Sequence, residues 1–243
     1  MELQAAIDNL YKVFARYPLN PNMDGSPMYA ELPEWNQQLA SKPLRALTAE
    51  DLSIFTYKSL TTWGEETDFK HFLPRIFELL PQFPSEFAEE WIVIDKLNYG
   101  RWRTWPETEQ QAILDYLWAL WEYMLTTPNT GNDFRCGDCL AAIASVYPDF
   151  EQLLLRWEQA DARKQVALGT WVYWSAEVML AKRMLPGFYN SAERGPAFYA
   201  WLTTEATVAR LEAAFFSVTD EEQAEQLSAA IQLLEAERHR AKS

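Results

Sequence analysis

An acid, an imidazole and a guanidinium recur at helical spacing in the segment Trp63-Gly64-Glu65-Glu66-Thr67-Asp68-Phe69-Lys70-His71-Phe72-Leu73-Pro74-Arg75. At about 100° per residue, Asp68, His71, Arg75 and Glu78 share one flank of a helix. Phe69, Leu73, Ile76, Phe77 and Leu80 share the other. Such stacking suits a proton-transferring His71, with Asp68 orienting the ring and Arg75 holding an anion. The same spacing equally suits an ion-paired network that ties the helix to a neighbour. No second catalytic group is identifiable, so no residue is assigned as catalytic. Pro74 has no amide hydrogen, which frees the Lys70 carbonyl and predicts a kink there.

A second constellation is Arg101-Trp102-Arg103-Thr104-Trp105, a basic and aromatic connection in an acidic chain. Arg101 and Arg103 beside Trp102 and Trp105 can hold an anionic or planar ligand by cation-π stacking. Alternatively, the tryptophans fill the gap between two helices under the arginine stems. Cys136-Gly137-Asp138-Cys139 has the spacing of a redox or zinc motif. A structural zinc site needs four protein ligands, and the chain has two cysteines and two histidines, so no metal is expected. The redox version needs a preceding strand, which is not seen, so two ordinary thiols near a helix start are expected, with a reversible disulfide as the alternative. The aromatics Trp171, Tyr173, Trp174, Phe188, Tyr189, Phe198, Tyr199 and Trp201 could line a groove beside Glu177, but read more simply as core; Asp115 and Glu122 are equally undecided. Phosphate-loop, dinucleotide, nucleophile-elbow and zincin motifs do not occur, so no cofactor is expected.

The run from Trp63-Gly64 to Asp68-Phe69-Lys70-His71-Phe72-Leu73-Pro74-Arg75 resembles a motif in a group of all-helical bacterial proteins for which no activity is established. The resemblance spans about 15 to 20 residues and implies a helical fold, with no function attached.

The elements that must position these residues are helices. Leu114, Leu117, Trp118, Trp121 and Leu125 recur on one broad apolar face. Thr48 is placed to cap the amide of Asp51, opening a helix that Gly64 closes. Asp68 is read as the next cap, for a helix running to Pro81, and Ser85 as the one after. Pro106 fits a first helical turn. A first helix is expected over residues 2 to 16, others at about 137 to 147, 149 to 159, 161 to 183, 194 to 202 and 204 to 217, and a last one from a Thr219/Glu222 capping box. Pro18, Pro21, Pro27, Pro33 and Pro43 make residues 18 to 47 a long connection.

Composition sets the frame. The chain has 243 residues, 49% hydrophobic and 23% charged, which suits one globular domain over residues 1 to 243. Its 21 basic against 35 acidic residues give a formal net charge of -14. That disfavours nucleic acid and anionic membranes and favours a basic protein partner. With no signal-like start, no membrane-length apolar run and few cysteines, a cytoplasmic protein is expected. The expected fold is all-α: roughly ten antiparallel helices in a compact array or short repeat-like solenoid. The expected function is a non-enzymatic interaction module, in one version an immunity or antitoxin-like protein. The alternative is a small-molecule-binding protein or hydrolase with a pocket around Asp68, His71 and Arg75.

Overall fold

The computed structural model describes residues 1–82, 87–127, 135–187 and 193–242, so the helix start expected at Ser85 lies outside the described residues. The chain is all-α, with twelve α-helices and no strand among the described residues. It divides into two compact units, Met1–Leu120 and Trp121–Ser243. No helix among the described residues is long and apolar enough to cross a membrane.

In the first unit, α1 (Leu3–Phe14) buries Ala6, Ile7, Leu10 and Phe14 at helical spacing and packs on α4 (Glu66–Leu79). Within the proline-rich stretch, Leu32–Ala40 forms α2, with Pro33 in the first turn, where a missing amide hydrogen has no helical acceptor to lose. Thr48 opens α3 (Ala49–Lys58) by a reciprocal cap. Its hydroxyl accepts the Asp51 N–H at 3.2 Å, and the Asp51 carboxylate accepts the Thr48 N–H at 2.8 Å. The helix ends before Gly64, because Ser59 turns to extended backbone and Leu60 adopts a φ of 63°.

The next helix, α4, starts two residues before Asp68, which occupies its third position and accepts the Glu65 N–H at 2.8 Å. It runs through Pro74. Phe69, Phe72 and Phe77 on α4 and Phe55 on α3 are fully buried, each contributing roughly 2 kcal/mol by leaving water. A short turn, Trp102–Thr104, links α5 (Glu90–Tyr99) to α6 (Glu107–Thr126). Leu117, Trp121 and Leu125 of the expected α6 stripe are buried, while Leu114 and Trp118 are half-buried.

The second unit is built on α9 (Ala162–Ala176), which ends in a π turn, Glu177–Ala181. It packs against α7 (Cys136–Ala144), α11 (Glu205–Phe215) and α12 (Glu221–Lys242), while α8 (Phe150–Glu158) meets α7 and α10 (Gly195–Leu202). Side chains of Asp149, Asp161 and Thr204 cap α8, α9 and α11. At α12 the cap is Asp220, accepting the Gln223 N–H at 2.9 Å, in place of the expected Thr219. The core is a chain of rings: Trp121 to Trp157 at 5.4 Å between centroids, Trp157 to Trp171 at 6.1 Å, and Trp171 to Phe198 at 5.5 Å. The indoles are satisfied by backbone, Trp121 donating to the Leu153 carbonyl and Trp157 to that of Lys164.

Candidate functional site

Asp68, His71 and Arg75 share α4, but their polar atoms go to different partners. Asp68 is buried and spent on the helix start, with Gly64 at a φ of 69° leaving room beside its carboxylate. His71 places Nδ1 2.9 Å from the Tyr17 carbonyl, so Nδ1 carries the hydrogen in that contact, and its ring edge rests on Phe72. Arg75 donates to the Leu47 carbonyl at 2.7 Å and to Glu78 at 2.6 Å. Glu78 also accepts the Tyr11 hydroxyl at 2.6 Å, while Arg45 covers the Tyr11 ring at 3.7 Å and meets Asp8 at 3.1 Å. Burial, then the Glu78 carboxylate, pushes the Tyr11 phenol far up. These contacts tie α4 to α1 and to the segment ahead of α3.

Trp102 and Trp105 are both buried, and Arg101 and Arg103 are exposed. Trp105 donates to the Gly100 carbonyl at 2.8 Å; Arg103 lies 5.1 Å from the Trp102 ring. What meets Trp105 is the neighbour of His71, Lys70, whose ammonium lies 4.2 Å from the ring centroid.

That lysine leads to a cluster not read from the sequence. Lys70, 3% exposed, pairs with Glu66 at 2.7 Å and with the fully buried Glu109 of α6 at 3.1 Å. Glu109 also accepts the Tyr17 hydroxyl at 2.6 Å and pairs with Arg16. Burial works against the Lys70 charge, but the bonds to Glu66, Glu109 and Tyr17 outweigh it and raise its pKa. The Glu66–Lys70 spacing was the one local signal. Nothing near Glu109 announces its role. A second buried lysine, Lys96 on α5, donates to the carbonyls of Tyr57 at 2.7 Å and Ser59 at 2.9 Å, and burial pulls it down to about 8 against the opposing pull of Asp95.

One shallow concave surface among the described residues of the first unit lies elsewhere. The residues after α3 pair with residues 24–26: Ser26 N–H donates to Thr62 at 2.8 Å and Gly64 N–H to Asp24 at 2.7 Å. Between them opens a mouth of about 330 Å³ lined by Asp24, Gly25, Ser26 and the run from Leu60 to Glu65. Asp24 and Glu65 are exposed at its rim. Trp63 forms its buried floor, pinned by donation to Asn36 at 2.9 Å, which in turn donates to the Met23 carbonyl. Trp35 lies 5.3 Å from Trp63, and Tyr29 5.3 Å from Trp35, so three rings run from the floor to the surface.

In the second unit the Cys136 and Cys139 side chains are both fully buried in α7. A Cβ at Gly137 between them would overlap the Trp171 ring, so glycine lets α7 approach α9. Of the expected aromatic groove, Trp171 and Phe198 are core, Tyr173 and Trp174 are exposed, and Phe188 and Tyr189 lie outside the described residues. Glu177 pairs with Lys182 and Glu122 with Arg156. Among the described residues no group of three or more His, Cys, Asp or Glu side chains is placed to hold a metal ion. The chain matches no known family model, no curated protein and no solved structure.

Proposed function

We propose that the protein is a cytoplasmic, non-enzymatic interaction module that binds a basic segment of another protein through the mouth between residues 24–26 and 60–65. The observation that carries this reading is the mouth itself, an open, shallow depression of about 330 Å³ with Asp24 and Glu65 at its rim and a pinned tryptophan as its floor. The chain's formal net charge of -14 adds long-range attraction for such a partner. An immunity or antitoxin-like role against a basic protein is one biological version. A hydrolase built on Asp68, His71 and Arg75 gains no support, because each of these side chains is engaged with backbone or with a charged neighbour.

The test is titration of a fluorescent lysine- and arginine-rich peptide against the whole chain. Asp24→Asn with Glu65→Gln should weaken binding by about fivefold, the size of roughly 1 kcal/mol from two exposed charges. Glu221→Gln with Glu225→Gln, which removes the same charge from α12, should change it less than twofold. Equal losses from both pairs would reduce the interaction to general electrostatics and sink the proposed mouth.

A further inference from the structure

The rings that lead out of the mouth hold a cation of the chain's own. Lys58, the last residue of α3, places its ammonium 4.0 Å from the Tyr29 centroid and 5.7 Å from that of Trp35. All three side chains are half-buried, so the box opens to solvent. Its walls have holds besides the lysine. The Tyr29 hydroxyl donates to Thr62 at 3.0 Å, and Trp35 packs at a tilt against Trp63, which Asn36 pins. Electron-rich ring faces attract an ammonium most strongly when it is partly desolvated, and rings held in place need no reordering when the cation arrives. Lys58 also acts on its container: its ammonium beside Tyr29 pulls the phenol below its usual range.

We propose that Tyr29 and Trp35 form a receptacle for an alkylammonium group carried by the partner, which the free chain keeps filled with its own Lys58. This deepens the reading of the adjacent mouth by naming the group that the partner inserts. The partner's lysine or methylated lysine takes the box, and Lys58 swings out to solvent. Occupation by Lys58 sets a threshold, since an incoming cation must outcompete one already tethered at the site. The chain's affinity for such a partner is therefore lower than the empty box would give.

The experiment uses the full chain and tetramethylammonium chloride, with sodium chloride at equal ionic strength as the blank. Binding is followed by tryptophan fluorescence and by broadening of the tetramethylammonium proton resonance. Lys58→Ala should bind at least tenfold more tightly than the wild type. Tyr29→Leu added to Lys58→Ala should abolish the gain, and circular dichroism should show all three proteins equally helical. In the Lys58→Ala chain the Tyr29 phenol should also titrate at higher pH. Equal responses of wild type and Lys58→Ala, or a gain that survives Tyr29→Leu, would overturn the receptacle. The peptide titration separates the two readings: if the Asp24 and Glu65 variants leave peptide binding unchanged while Lys58→Ala gains tetramethylammonium, the mouth fails and the receptacle stands.

Discussion

Lys70 and Lys96 are buried to nearly the same degree, 3% and 4% exposed, in two regions of the first unit, yet their surroundings push them in opposite directions. Around Lys70 the fold supplies two carboxylates, a phenol and an indole face, and the charge is held more firmly than in water. Around Lys96 it supplies two backbone carbonyls and a tyrosine ring 5.4 Å away, which satisfy the donors but do not repay the lost hydration. Burial by itself therefore predicts neither the charge state nor the role of a lysine. Direct pairing with carboxylates, rather than with carbonyl dipoles alone, decides. Lys70 joins α4, α6 and the residues that follow α1 through charge, and Lys96 fastens the end of α3 through its carbonyls.

The sharpest way to break this contrast is to remove the counter-charge. Glu109→Leu should destabilise the protein by about 3 kcal/mol in urea unfolding, the lower end for breaking a buried pair because Glu66 remains with Lys70. Lys70→Met combined with Glu109→Leu should recover most of that loss, since no buried charge is then left alone. A double variant as unstable as the single one would show that the cluster's value is not ionic.

Lys96→Met should cost about 2 kcal/mol at neutral pH through the two orphaned carbonyls. Because the folded Lys96 titrates at about 8, below an unfolded lysine, the unfolded chain holds an extra proton above that pH, and stability rises with pH there. The wild type's advantage over Lys96→Met should thus widen as the pH passes upward through 8. The Lys70 contribution runs the other way, present at lower pH and lost as the pH climbs through its raised value.

Asp51 gives the smallest effect and a half-buried acidic reference. Partial burial opposes its charge, but Lys42, the Thr48 N–H and hydroxyl, and Gln38 hold it down to about 2. Asp51→Ala should cost about 1 kcal/mol at neutral pH. That difference should shrink as the pH falls from the ordinary carboxylate range through about 2, where the wild-type carboxyl protonates.

What could be read from the sequence was local. The Thr48 cap on Asp51 needs only a three-residue spacing, and the buried row Leu117, Trp121 and Leu125 needs only the helical repeat. Proline punctuation misled at Pro33, because the same residue that ends a helix also fits its first turn. The candidate site was the least legible part. His71 was read with Asp68 and Arg75 because they share a face, but its partner is a backbone carbonyl at Tyr17, where residue type carries no signal. Glu109 and Lys58 acquire their roles from helices and rings brought together by tertiary packing, which no spacing along one helix encodes.

The two buried thiols turn the second unit into its own clock. Both cysteines of the chain lie in α7, on either side of the glycine that rests against Trp171, and the first unit contains none. A thiol-labelling reagent can reach them only when that packing opens, so its rate reports the opening equilibrium of the second unit in the unmodified protein. The same label, applied to the Lys70, Lys96 and Glu109 variants, measures how far a disturbance in the first unit loosens the second.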